Sequence, residues 1–142
     1  MSDLIPCNSP DRTQNSKSTP TVVLDKRSRH KLLSKFEEVG MVIVHCFFSA
    51  PVNAKIRISR SAILFDLDTG NSTRLIHALN IPVAPEWKRV KAGTLMSFTL
   101  IFAPLPEKCT LFDLVEHDRG TTGLNVTGIS RNKQDVYNLT IL

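Results

Sequence analysis

One short stretch limits the fold more than any other. In Leu95–Ala103, Met96, Phe98, Leu100 and Phe102 fall on one face, while Leu95, Ser97, Thr99 and Ile101 fall on the other. A period of two with large apolar groups on one side describes a β-strand laid against a core. Lys91-Ala92-Gly93 before it and Pro104-Leu105-Pro106 after it bound the run. Met41–Ser49 is a second strand, rich in β-branched and aromatic residues, and apolar enough to be buried on both faces. Ala62–Leu67 and Thr73–Ala78 read as a hairpin around Asp68-Thr69-Gly70-Asn71. Leu111–Glu116 and Gly123–Ile129 form another pair, and Val136–Ile141 closes the series. Short strands parted by Pro, Gly and Asn predict an all-β fold, a sandwich or a barrel.

Ser28–Glu38 fits the series less well. Leu32, Leu33, Phe36 and Val39 lie at helical spacing, with Ser28 as an N-cap and Gly40 as a break. The segment reads as one short helix near residues 28–38 or as an edge strand. Residues 1–20 are polar, with Pro6, Pro10 and Pro20 among many Ser, Asn and Thr. That composition lacks the apolar surface that offsets ordering entropy, so residues 1–20 are expected to be a flexible N-terminal arm and 21–142 the sandwich domain.

Charge is uneven along the chain. Residues 1–60 carry ten Lys/Arg against five Asp/Glu, and residues 61–142 carry eight against eight, so the net charge of +5 arises in the first part. Lys26, Arg27, Arg29, Lys31 and Lys35 form one cluster, with Lys55, Arg57 and Arg60 further on. Such a basic patch serves either as a solvated, solubilising surface or as an attractor for phosphate backbones and acidic proteins. A net charge of +5 is modest beside dedicated nucleic-acid binders. Aromatic residues are only 6% of the chain, and only Phe36 interrupts the cluster for bases to stack on. No stretch reaches the length of a membrane span, and no secretion signal is visible. Three cysteines, an odd and sparse set, fit a reducing compartment, so the expected location is cytoplasmic.

Catalytic arrangements are hard to find. His45 and Cys46 are neighbours, but adjacent residues of a strand point to opposite faces, which forbids a Cys–His dyad. Cys109 and His117 lie at opposite ends of the strand Leu111–Glu116, too far apart to cooperate. His30, His45, His77 and His117 show no zinc-motif spacing, and no phosphate-binding glycine loop or serine-nucleophile elbow occurs. Asp66 and Asp68 belong to turn chemistry, and Glu116-His117-Asp118 reads as a solvated turn. No catalytic residue, metal site or cofactor is expected. Recognition surfaces remain: Trp87, the only tryptophan, is followed by Lys88 and Arg89 in a long connection. That composition suits an interaction hot spot, and it also suits a loop that caps the end of a sandwich core.

Two strings add a resemblance. Lys55-Ile56-Arg57-Ile58-Ser59 precedes Asp66-Leu67-Asp68-Thr69-Gly70 and Ile81-Pro82-Val83-Ala84-Pro85-Glu86. Phe98-Thr99-Leu100-Ile101-Phe102-Ala103-Pro104-Leu105-Pro106 precedes Phe112-Asp113-Leu114-Val115-Glu116. Over residues 41–130 the chain resembles a group of uncharacterised bacterial immunoglobulin-like β-sandwich domains common in Bacteroidota. The resemblance implies a sandwich scaffold with Phe98, Leu100, Phe102 and Phe112 in its core, and brings no catalytic residue. The chain departs from that group in its basic N-terminal stretch and in lacking an export signal.

The resulting expectation is a non-catalytic protein-interaction or assembly module, with another protein or a second copy of itself as partner. The alternative is electrostatic binding of nucleic acid through the basic stretch.

Overall fold

A computed structural model describes residues 5–6, 26–116 and 123–141. Its elements are β1 (Ile5–Pro6), α1 (Lys26–Glu38), β2 (Val42–Ser49), β3 (Ala54–Ile56), β4 (Ile63–Asp66), β5 (Ser72–Leu79), β6 (Lys88–Val90), β7 (Leu95–Phe102), β8 (Leu111–Val115), β9 (Asn125–Ser130) and β10 (Val136–Thr140). The fold is all-β and sandwich-like, with one short helix. Residues 5–6 lie within the expected arm and pair with β3 as β1; the rest of residues 1–20 lies outside the described residues.

Seven strands form one sheet in the order β10-β2-β7-β5-β4-β8-β9. All neighbours are antiparallel except β10 and β2, which run parallel. The sheet curls. Phe112 of β8 and Tyr137 of β10 are nearly at its opposite ends, yet their rings meet edge to face with centroids 5.1 Å apart. The curl is made in β5, where the register shifts between Leu75 and His77. Ser72, Thr73 and Arg74 pair with β4, while Leu75 and His77–Leu79 pair with β7, so a single strand turns the corner between the two halves.

The concave side holds the main core. Val42, Val44, Cys46 and Phe48 of β2 meet Phe98, Leu100 and Phe102 of β7, Leu64 of β4, and Phe112 and Leu114 of β8. A three-stranded sheet, β1-β3-β6, adds Ile56 and Val90 to this cluster, with Ile58 just beyond β3. The alternation in Leu95–Phe102 therefore has its expected meaning on the inner side. On the outer side Thr99 and Ile101 are buried as well, because α1 covers them.

Ser28–Glu38 is helical. Leu32, Leu33 and Phe36 rest on Ile43, Leu79 and Ile101, on the convex face of the seven-stranded sheet. The helix starts at Lys26, so Ser28 lies in its first turn and is not its N-cap. Its end is a Schellman motif: Met41 N–H donates to the Phe36 carbonyl at 3.0 Å and Gly40 N–H to that of Glu37 at 3.0 Å. Gly40 sits at φ +79, a conformation that side chains with a Cβ resist. The turn reverses the chain directly into β2 and lays α1 back along it.

Candidate functional site

The small sheet sorts its residues by strand alternation. Ala54, Ile56 and Ile58 point inward and are fully buried; Lys55 and Arg57 between them point outward. On β6, Val90 is buried and Arg89 is exposed, directly opposite Lys55 in register. The next row sets Arg57 beside Trp87. The Arg57 guanidinium carbon lies 4.0 Å from the Trp87 ring centroid, and its Nη1 donates to the Pro85 carbonyl at 3.3 Å. The outer face of this sheet thus carries three cations around one half-buried indole. Among the described residues, neither Lys55 nor Arg89 is paired with a carboxylate.

Two clusters that are thirty residues apart in sequence become one surface here. Trp87 is half-buried, while Ile81 and Val83 of the same connection join or pack against the core. Lys88 does not join the surface. It pairs with the buried Ile56, its Nζ reaches Asn80 Oδ1 at 3.4 Å, and burial lowers its pKa. Arg60 is exposed in the turn after Ile58.

Lys26, Arg27, Arg29, Lys31 and Lys35 lie elsewhere, on α1, on the convex side of the main sheet. Lys26, Arg27, Arg29, His30 and Leu33 line an open depression of ≈ 630 Å³. Arg29 is partly withdrawn from solvent. Its Nη2 donates to Thr99 Oγ1 at 2.9 Å, and the same fully buried hydroxyl lies 2.8 Å from His45 Nδ1. A single hydroxyl can accept from Arg29 and donate to a neutral His45, which closes the chain of bonds. Burial first, and the Arg29 charge second, hold the His45 pKa below 6.5, with Glu37 acting in the opposite sense.

The described cysteines and the Asp66–Asp68 pair stand in the core and in a turn. Cys46 is in the inner core and His45 on the outer face, which separates them as strand geometry requires. Burial pushes the Cys46 thiol up to about 12, so it is no thiolate nucleophile. Asp66, Asp68 and Cys109 lie close enough to hold a cation between them, but their oxygens already serve the turn. Asp66 accepts from Thr69 Oγ1 at 2.7 Å and Asp68 N–H at 2.8 Å, and Asp68 accepts from Thr110 N–H at 2.6 Å and Thr110 Oγ1 at 2.9 Å. These bonds hold both carboxyls below the usual range.

Glu116 departs from the solvated turn expected of it. It is buried, accepts from Leu124 N–H at 3.0 Å and from Ser59 N–H, and so ties β8 to the turn after β3. Gly123 passes so close that a Cβ there would lie 2.1 Å from the Glu116 carbonyl oxygen. His117 and Asp118 lie outside the described residues. Among the described residues, no helix is long and apolar enough to cross a membrane.

No family model, curated protein or solved structure matches this chain.

Proposed function

We propose that the domain is a non-catalytic protein-interaction or assembly module, and that its binding surface is the outer face of the three-stranded sheet. One observation carries this reading: Arg57 stacked on Trp87 beside the opposed pair Lys55 and Arg89. Interaction hot spots draw on Trp and Arg because both offer large contact area with a directional polar or π component. The stack holds two long side chains in place before a partner arrives, which lowers the ordering cost of binding. Two free, buried cysteines, Cys46 and Cys109, support a reducing, cytoplasmic setting. The immunoglobulin-like reading and the likeness to Bacteroidota domains are kept as proposals of the same kind; they rest on sequence pattern.

Nucleic acid is the competing partner, favoured by the cations of α1. Among the described residues one aromatic side chain, Trp87, stands on the small-sheet face, where single-strand binders present several. The test is capture from the native lysate with wild type, Trp87→Ala and a Lys31→Glu/Lys35→Glu double variant. Absorbance at two ultraviolet wavelengths separates protein from nucleic acid in the bound fraction. A discrete protein retained by wild type and the double variant, and lost by Trp87→Ala, supports the reading. Nucleic acid lost only by the double variant, and stripped by moderate salt, overturns it.

A further inference from the structure

We infer that two copies of this chain pair through the outer face of β4 and β8, with Arg74 of each copy set on Asp113 of the other. This face lies on the convex side of the main sheet, whereas the small sheet packs on the concave side. The two surfaces are independent, and either can be wrong without the other.

The convex side is divided in two. On one half, Leu32, Leu33 and Phe36 of α1 rest on Ile43, Leu79 and Ile101, and Phe36 meets His77 with ring centroids 5.3 Å apart. That half is β2, β7 and the end of β5. On β4 and β8, strand alternation sends Leu64, Asp66, Phe112 and Leu114 inward, where all four are fully buried. It sends Ile63, Phe65, Leu67, Leu111, Asp113 and Val115 outward. Ile63 is opposite Val115, Phe65 is opposite Asp113, and Leu67 N–H donates to the Leu111 carbonyl at 3.0 Å. The six side chains therefore form one patch, and five of them are apolar. Leu67 is 43% exposed, and Phe65 and Leu111 are each 36% exposed. A sheet face that meets only water carries polar residues at such positions. A contiguous apolar face marks a contact surface.

The charges beside the patch indicate what covers it. Arg74 of β5 lies opposite Ile63, is exposed, and has no side-chain partner among the described residues. Asp113 accepts from Gly128 N–H at 2.8 Å through Oδ1, which leaves Oδ2 for a further donor. Two strand spacings and one row separate Arg74 from Asp113, roughly 12 Å, so they do not pair within one copy. They stand on opposite sides of the step from Ile63 to Phe65. A two-fold axis in the contact plane, passing between Ile63 and Phe65, carries each Arg74 onto the other copy's Asp113. The same operation brings Ile63 and Phe65 of both copies together at the centre, with the sheets crossing steeply as in orthogonal packing. The charge pair then forms twice around an apolar middle. A face only four strands wide is small for an interface, so the dimer is a weak one, on the order of micromolar.

The experiment is sedimentation velocity of the full chain from about 1 to 200 µM. The expected result is a monomer at the low end and a dimer at the high end. Arg74→Asp and, separately, Asp113→Arg should each weaken dimerisation about tenfold or more. An equimolar mixture of those two variants should restore it, because each reversed charge then meets its opposite. Phe65→Ser should abolish the dimer, and Lys35→Glu and Arg89→Glu should leave it unaltered. Unchanged far-ultraviolet circular dichroism separates lost pairing from lost fold. Where Asp113→Arg proves unfolded, Asp113→Asn keeps an acceptor for Gly128 N–H and should still weaken the dimer. A wild type that stays monomeric over the whole range overturns the inference. So does a dimer that Phe65→Ser and Arg74→Asp leave unchanged, which assigns pairing to another face. A mixture no stronger than its single variants, or an unaltered Asp113→Asn dimer, overturns the Arg74–Asp113 register.

Discussion

Arg57 lies over Trp87, with 4.0 Å from guanidinium carbon to ring centroid; Arg57 directly follows β3 and Trp87 directly precedes β6 of one small sheet. A contact of this kind contributes about 0.5–1 kcal/mol at an exposed site. Its larger consequence is positional. The stack fixes a flat, cationic and aromatic surface on residues whose inward neighbours, Ile56 and Ile58, are fully buried. This face is therefore seated directly on the core.

Stability and binding are expected to part company at Lys55. Lys55→Glu replaces a repulsive cross-strand pair with an attractive one opposite Arg89, and should stabilise the fold by about 0.2–1 kcal/mol. The same change should weaken partner capture. Urea denaturation and capture of the same variant check both signs.

Gly40→Ala should cost about 1 kcal/mol. A Cβ at Gly40 meets nothing within 4 Å, so the cost is conformational and comes from φ +79 in the Schellman turn. Urea denaturation measures it, and the loss should appear mainly as looser docking of α1 by amide exchange.

The Arg29–Thr99–His45 chain makes α1 docking sensitive to acid. His45 is flanked by Thr99 of β7, Asn138 of β10, and Arg29 and Glu37 of α1. In the unfolded chain it titrates at about 6.5, and in the fold its pKa is lower. As pH falls through 6.5 the unfolded chain therefore takes up a proton that the folded chain resists, and stability declines. Above that value both states are neutral at this site and the term vanishes. Denaturation midpoints between about pH 5 and 8 should fall on acidification in wild type, and fall less in His45→Gln. Thr99→Val leaves two polar groups without their shared partner and should cost about 1–3 kcal/mol.

The thiols of Cys46 and Cys109 should be silent in the native state. Cys46 is pushed up to about 12 by burial, and Cys109 to about 11 by burial and by its bond to Asp66. In a Cys7→Ser background, a water-soluble disulfide reagent should label neither at neutral pH, and both after unfolding.

Strands with an apolar face were legible in the sequence, because burial imposes a period of two. Met96, Phe98, Leu100 and Phe102 needed nothing more, nor did the hairpin around Asp68-Thr69-Gly70. The helix was open to two readings because α1 buries no residue fully. Its apolar stripe is only Leu32, Leu33 and Phe36, and the deciding feature is the Schellman turn at Gly40. β6 was read as loop since three residues, Lys88, Arg89 and Val90, carry too little pattern. That hid the site itself. Trp87 and Arg57 each stood out by composition, but only the β3–β6 register puts them together, and register between distant strands leaves no local trace. Glu116 misled for a similar reason: its partners Ser59 and Leu124 are brought to it by the fold.

The most direct measurement is site-specific photo-crosslinking in the native cell. A photoreactive residue is placed at position 89, on the small-sheet face, and separately at position 31, on α1. The account predicts a discrete protein adduct from position 89 that Trp87→Ala abolishes, and none from position 31. An adduct from position 31 alone, or nucleic acid captured at position 89, would contradict it.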